Sequence, residues 1–178
     1  VDEYADLLRL SIACAGNDHR LGGNEAPPAI ISMFLGDELD NIIDAIIKDK
    51  VIKGKIKDRF QTGVSVIPDF AKDNTDRNRT TPFAFTGNKF EFRGVGSSQS
   101  IAGSNTILNA ILAHEMNEMV SKINNGKTPL DVIKQFLEEH RRIIFDGDGY
   151  SKEWEVEANR RGLPNRRNTV DAIQHLVD

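Results

Sequence analysis

Three charged residues alternate with two phenylalanines in the stretch Lys89-Phe-Glu-Phe-Arg93. Successive side chains of a strand point to opposite faces, so a strand here places the three charged side chains on one face and Phe90 and Phe92 on the other. A carboxylate between two cations pairs with both and holds them in place. The alternative reading is an exposed ladder of ion pairs, which contributes under about 1 kcal/mol.

A second cationic segment, residues 75–81, carries Arg77 and Arg79 among hydroxyl and amide side chains, with no apolar residue that predicts a place in the core. Guanidinium groups match carboxylate and phosphate oxygens bidentately, and a hydrogen bond to a charged group contributes about 1.5 to 3 kcal/mol. The segment therefore indicates an anion site, and a solvated loop is the alternative.

A third stretch, residues 15–28, is rich in functional groups around Gly22 and Gly23 and ends at Pro27-Pro28. Loops of this kind carry function more often than helices do. Its polar and charged residues are Asn17, Asp18, His19, Arg20, Asn24 and Glu25.

The elements that must position these residues follow from apolar periodicity. A helix over 3–14 leads into the loop, the apolar run 28–35 predicts a buried strand, and 37–48 predicts an amphipathic helix, followed by a polar surface excursion over 50–63. Alternation on both sides of the turn residues Gly87-Asn88 predicts a hairpin over 83–93.

Helices dominate from about residue 105. Thr128 is a cap and Pro129 the first residue of a helix running to about Phe145. Two shorter helices follow, near 151–161 and near 169–177. The preceding helix has one apolar stripe predicted to face the core, which comprises Ile107, Leu108, Ile111, Leu112, Met116 and Met119.

Bulk composition limits the classes of protein that fit. With 178 residues, 39% hydrophobic and 28% charged, the chain is long enough for one domain with a real core. A net charge of −4 argues against non-specific nucleic-acid binding. The single cysteine, Cys14, excludes an internal disulfide and is expected to be a buried apolar residue. The sequence has no membrane-spanning run and no signal-like start, so a cytoplasmic location is expected.

In order, four motifs resemble the second half of a glutamine synthetase catalytic domain, and their wording is similar to the long, type III branch of that family. The motifs are Asn-Asp-His-Arg-Leu at 17–21, Glu-Ala-Pro at 25–27, Arg-Asn-Arg-Thr at 77–80 and Lys-Phe-Glu-Phe-Arg at 89–93. The likeness continues through 97–103 and 140–145 and covers nearly the whole chain.

The resemblance implies an α+β fold, with antiparallel strands covered by helices and a helical C-terminal half, as a C-terminal fragment of the catalytic domain over residues 1–178. It also implies glutamate–ammonia ligase chemistry. ATP phosphorylates the glutamate side chain, ammonia attacks the acyl phosphate, and glutamine, ADP and phosphate leave. ATP and Mg²⁺ or Mn²⁺ are the expected cofactors, and a homo-oligomeric double ring is expected for the full-length enzyme.

Residue by residue, the resemblance assigns Arg20 and Arg93 to substrate binding and Glu25 to a mobile flap that helps to deprotonate ammonium. Arg79 matches an arginine that neutralises the transferring phosphoryl group, where positioned charge does most of the catalysis. Glu91 matches a ligand of the metal between the ATP phosphates. Arg79 and Lys89 are the expected nucleotide contacts.

Two departures from the family pattern affect nucleotide binding. Lys89 stands where many relatives have arginine, which keeps the charge but loses bidentate geometry. Ala84 replaces an arginine expected five positions after Arg79. The remaining metal ligands and a β-grasp domain are expected upstream of this sequence, and one carboxylate cannot replace a site of several oxygen ligands. The fragment is therefore expected to be inactive alone.

Two other functions stay open from the sequence. One is a non-catalytic module that binds phosphoryl ligands or supports assembly, and the other is a related ligase acting on another carboxylate. Three motifs are set aside as structural. The calcium-like run 146–151 lacks the required glycine, the helix carrying His114 lacks the second histidine of a zinc site, and Gly94-Val-Gly96 lacks a dinucleotide fingerprint.

Overall fold

The computed structural model describes residues 1–23, 26–50, 59–60, 70–71 and 81–174, with backbone alone at 59–60 and 70–71. The helices in these residues are α1 (Ala5–Ser11), α2 (Asp37–Ile47), α3 (Ala102–Asn124), α4 (Pro129–Glu139), α5 (Lys152–Arg160) and α6 (Thr169–Gln174). Short 3₁₀ turns cover Ala15–Asn17 and Arg141–Ile143. The strands are β1 (Met33–Phe34), β2 (Arg59–Phe60), β3 (Phe70–Ala71), β4 (Phe83–Phe85) and β5 (Phe90–Phe92).

One small sheet has the order β1-β4-β5, and β2 pairs with β3 in a separate antiparallel ribbon. In the sheet, β1 runs parallel to β4 and β4 runs antiparallel to β5. The fold is therefore α+β and helical in its C-terminal half, as predicted, but its sheet is mixed rather than wholly antiparallel. None of the helices in the described residues is long and apolar enough to cross a membrane.

The predicted hairpin is confirmed. Ala84 pairs with Glu91 at its centre, and Phe83 and Phe85 pair with Phe92 and Phe90 on either side. The amide of Thr86 donates to the carbonyl of Lys89 at 2.9 Å, which closes a turn over Gly87 and Asn88. Gly87 has a φ of +95°, a conformation that glycine adopts without strain. The register leaves the charged residues on the face opposite the phenylalanines.

The apolar run before α2 is the centre of the core, although only Met33 and Phe34 within it form a strand. Successive residues of the run join different clusters. Ala29 packs with Ile12 and Leu21, Ile30 with Trp154 and Leu163, and Ile31 with Leu8 and Ile111. Burial on all sides explains why the run is apolar without alternation.

Several predicted boundaries are wrong in informative ways. Helix α1 ends at Ser11 rather than residue 14. Cys14 is exposed rather than buried, because it lies in extended backbone just before the first 3₁₀ turn. Helix α4 has the predicted Thr128 cap and Pro129 start but ends at Glu139, well before Phe145.

The early end of α4 has a physical reason in the residues that follow it. Arg141 pairs with Asp40 and Asp44 of α2, and Arg142 Nε donates to the Asp2 carboxylate at 3.0 Å. These two neighbouring arginines reach acids in different parts of the chain, in a 3₁₀ turn rather than a continued α-helix.

The predicted core stripe of α3 is wrong at two of its six residues. Ile111 is buried and Ile107 and Leu108 pack beside it, whereas Leu112 and Met116 are 55% and 57% exposed. The contacts of α3 with α1 and α4 cover a narrower face than the apolar residues occupy. The predicted end of α6 near 177 and most of the excursion over 50–63 lie outside the described residues.

Candidate functional site

A cleft of about 450 Å³ lies where the loop after α1 meets the hairpin. Three residues singled out from the sequence line it, namely Arg20, Glu91 and Arg93. Arg20 comes from the loop and the other two come from β5 and its exit, about 70 positions along the chain. The remaining wall comprises Asn17, His19, Leu21, Ala26, Pro27, Thr81, Pro82, Gly94 and Tyr150.

Asn17 joins the two segments that form the cleft. Its side chain is 4% exposed, and Nδ2 donates to the carbonyl of Ile12 at 3.1 Å and to that of Gly94 at 2.9 Å. A buried amide that donates both of its protons has a fixed position, because losing either hydrogen bond leaves a buried polar group unpaired. Asn17 therefore holds the loop against the exit of β5, where Arg93 lies.

Asp18 fastens the same loop to the C-terminal helix. Its carboxylate accepts hydrogen bonds from the amide of Thr169 at 3.1 Å and from its hydroxyl at 2.9 Å. It also lies 3.7 Å from the guanidinium of Arg9, whose side chain is 3% exposed. Burial lowers the pKa of Arg9, with Asp18 opposing the shift. Asp18 therefore has a structural role and lies outside the residues that line the cleft.

Gly22 allows the loop to pass close to the chain near α6. Its φ is +91°, and a Cβ there would lie 2.0 Å from the carbonyl oxygen of Arg167. Its amide donates to the carbonyl of Pro27 at 2.8 Å, which closes the loop on itself. Glycine is therefore required at this position for two independent reasons, the backbone angle and the contact.

Glu91 lies between two cations on the hairpin. Lys89 Nζ is 3.1 Å from Oε1, and Arg93 Nε donates to Oε2 at 3.2 Å. The hydrogen bond from Lys89, then that from Arg93, lowers the pKa of Glu91 below its ordinary value of 4.5. The arrangement predicted from alternation is confirmed. Arg93 is the most enclosed of the three, with its side chain 15% exposed against 60% for Lys89.

Lys89 and Ala84 differ from what the family pattern implies. Lys89 pairs with Glu91 and Thr86 but lies outside the residues that line the cleft, so its nucleotide contact stays a prediction. Ala84 is fully buried and pairs directly with Glu91 across the hairpin. Directly paired residues share a face of the sheet. Ala84, which stands where the family pattern has an arginine, therefore faces the same side of the sheet as Glu91.

Glu25 and Arg79, the two predicted catalytic residues, lie outside the described residues, as do Asn24 and Arg77. Their roles stay predictions. The residues next to them in the described chain, Ala26 and Thr81, both line the cleft.

Tyr150 is a cleft residue that sequence reasoning missed. It belongs to the run 146–151, which was set aside as structural and forms a turn before α5. Asp146 Oδ1 accepts from the amide of Leu35 at 2.9 Å, and Asp148 Oδ1 accepts from that of Tyr150 at 2.9 Å. Burial raises the pKa of Asp146. Asp146 and Asp148 therefore bind backbone amides. The spacing of residues in the sequence does not predict that Tyr150 lies in the same cleft as Arg20 and Arg93.

Within the described part of the chain, no group of three or more His, Cys, Asp or Glu side chains is arranged to hold a metal ion. His114 instead meets the ring of Tyr4 edge to face, with centroids 5.8 Å apart. Near Gly96 the chain turns, with the amide bonded to Oε1 of Gln99 at 2.8 Å. Glu91 is the one carboxylate among the described residues that line the cleft.

The sequence is similar to those of known proteins. Residues 129–178 match the glutamine synthetase C-terminal domain family. The chain is 48% identical over 185 residues to the type-3 glutamine synthetase of Dictyostelium discoideum, covering 99% of this chain and 25% of that protein. It is 44% identical over 190 residues to the glutamine synthetase of Bacteroides fragilis (strain YCH46), covering 100% of this chain and 26% of that protein. The chain thus spans about a quarter of the length of the curated relatives it matches.

Proposed function

Because this chain belongs to the glutamine synthetase family, we propose that its cleft holds the glutamate and the transferring phosphoryl group in an ATP-dependent glutamate–ammonia ligase. The reaction joins glutamate and ammonia through a glutamyl phosphate. ATP loses its terminal phosphoryl group to the side-chain carboxylate, ammonia displaces phosphate from the acyl carbon, and the proton lost from nitrogen goes to a base.

The observation that carries the proposal is the convergence of Arg20 and Arg93 on one cleft. Glutamate carboxylates and phosphoryl oxygens are anions, and guanidinium groups bind such oxygens with directed hydrogen bonds. Arg20 is exposed and is therefore accessible to a ligand, whereas Arg93 is largely enclosed. The pair offers one adaptable and one fixed cationic contact to the same bound anion.

Glu91 fixes the enclosed arginine. Its bond to Arg93 Nε at 3.2 Å restrains the guanidinium before the ligand arrives, so less conformational entropy is lost on binding. Its second oxygen pairs with Lys89 at 3.1 Å. Each carboxylate oxygen has two lone pairs, so Glu91 can bind a metal cation and keep its bonds to Lys89 and Arg93.

A divalent cation would neutralise charge on the phosphates during transfer, and Glu91 would be one of its oxygen ligands. Magnesium takes several oxygen ligands at short distance, and Glu91 provides one carboxylate. The other protein ligands must come from outside the described residues. The resemblance to the family places those ligands upstream of this sequence, and we therefore propose that this chain by itself has no synthetase activity.

The remaining roles rest on the resemblance alone. Arg79 is proposed to neutralise the transferring phosphoryl group, and Glu25 to take the proton from ammonium. A carboxylate near a cation suits that second task, because it stabilises ammonium and accepts its proton.

The test is phosphate release by the full-length protein with ATP, ammonia and glutamate, beside this chain alone. We expect activity that requires all three substrates in the full-length protein and none in the chain. Activity with another acid in place of glutamate identifies a related ligase. Nucleotide binding without turnover in the intact protein identifies a binding module. Either outcome rejects the proposal.

A further inference from the structure

An apolar cavity of about 370 Å³ lies on the other side of the hairpin from the charged residues. Its walls come from α2, α3, α4 and β5. They include Leu39, Ile43, Phe90, Met119 and Phe136. Phe90 is 50% exposed although it belongs to the phenylalanine face of the sheet. Within the described residues, a mostly apolar surface of the kind found in a protein core is therefore exposed to solvent.

Val1 forms part of the wall of this cavity, and the residue after it is firmly fixed. The side chain of Asp2 is 4% exposed, accepts from Arg142 Nε at 3.0 Å and lies 2.9 Å from His140 Nδ1. The start of the described chain is therefore held at the cavity by the hydrogen bond from Arg142 and by the contact with His140.

The cavity is large enough to hold side chains. An apolar cavity of about 150 Å³ holds one benzene ring, so about 370 Å³ holds roughly two large apolar side chains. Its lining is mostly apolar, and Asp2, Glu3, Glu115 and His140 are its polar members.

The matched family is a C-terminal domain, and the relatives are far longer than this chain, which covers 25% of the first. A residue joined to Val1 has its Cα about 3.8 Å away and so begins at the cavity wall. From this geometry we infer that the cavity is filled by the segment that directly precedes Val1 in the full-length protein, through apolar side chains inserted between α2, α4 and β5. The inference is independent of the proposed chemistry.

A photocrosslinker tests which segment fills the cavity. In the full-length protein, Ile43 is replaced by benzoylphenylalanine, and the captured peptide is identified by mass spectrometry after irradiation. We expect a peptide from the segment just before Val1 of the same polypeptide. Capture of a second copy, of a distant segment, or of no peptide overturns the inference. The matched control is the same replacement at Val156, which is 73% exposed on α5 and should not capture that segment.

A smaller substitution guards against misfolding of that variant. In an Ile43→Cys variant that also carries Cys14→Ser, thiol labelling of residue 43 should be slower by about tenfold or more in the full-length protein than in this chain, because the side chain becomes covered. A Val156→Cys variant should label at equal rates in both. Adding only the preceding segment to the chain should restore the protection of Ile43→Cys. Equal labelling of Ile43→Cys with and without that segment contradicts the inference.

Discussion

The carboxylate of Asp18 accepts two hydrogen bonds from Thr169, one from the backbone amide at 3.1 Å and one from the hydroxyl at 2.9 Å. These bonds join residues at opposite ends of the chain. They fix the loop that carries Arg20 to the start of α6, a helix of six residues.

The first prediction concerns this anchor. Asp18→Ala should lower the free energy of unfolding by about 2 kcal/mol, because it removes the acceptor of both Thr169 hydrogen bonds and the carboxylate paired with the buried Arg9 guanidinium. Urea unfolding of the chain measures the loss. Asp18→Asn, which keeps an acceptor oxygen, should lose less. Glu118→Ala, on the exposed side of α3, should change little, and an equal loss there would remove the special role of Asp18.

Two glycine substitutions should change the stability of the chain in opposite directions. Gly22→Ala should destabilise the chain by at least about 2 kcal/mol, because its φ of +91° and the 2.0 Å contact with Arg167 both exclude a Cβ. Gly103→Ala, in α3 with nothing within 4 Å, should stabilise it by up to about 1 kcal/mol. Thermal unfolding of both variants is the measurement, and a neutral Gly22→Ala contradicts the loop structure.

The pairing of Glu91 predicts its titration. A carboxyl group whose pKa is lower in the folded state stabilises the fold above its unfolded pKa, and that stabilisation is lost as the pH falls through the folded pKa. NMR titration should therefore give Glu91 a pKa below 4.5. Lys89→Ala should raise it, because the hydrogen bond from Lys89 is the largest cause of the shift. An unshifted pKa, or no response to Lys89→Ala, contradicts the pairing.

Metal affinity tests the proposed role of Glu91 in the full-length protein. Glu91→Ala should weaken Mg²⁺ or Mn²⁺ binding by about tenfold or more, measured by calorimetric titration, because it removes one oxygen ligand. Glu155→Ala removes an acid of α5 paired with Arg167 and serves as the control. If both variants bind metal as the unsubstituted protein does, Glu91 is not a ligand.

Local rules predicted the parts of this molecule whose signal lies within a few residues. The hairpin followed from alternation around Gly87, and the start of α4 followed from Thr128 and Pro129, because turn and cap chemistry is local. The predicted end of α4 was wrong because acids distant in the sequence, on α2 and at Asp2, bind the two arginines that follow the helix. Tyr150 was missed for a similar reason, since tertiary contact alone brings it to the cleft.

The candidate site shows the same division. Alternation placed Glu91 and Arg93 on one face, but nothing local to residue 20 predicts that Arg20 meets them. That expectation came from family resemblance, and the described residues bring the three together. The sequence did not predict that Asn17 links the loop to the exit of β5. Both of its hydrogen-bond partners are backbone carbonyl groups, which any residue supplies.

The most direct test of the central claim is the kcat/KM for glutamate of the full-length protein carrying Arg20→Ala or Arg93→Ala. Each should fall by about 10- to 100-fold, the loss expected for a hydrogen bond to a charged group, and the double variant should lose less than the product if both arginines hold one ligand. Arg160→Ala, whose side chain is 73% exposed and paired with Glu157, should stay near the unsubstituted value. Unchanged kcat/KM in the folded Arg93→Ala protein would contradict the account.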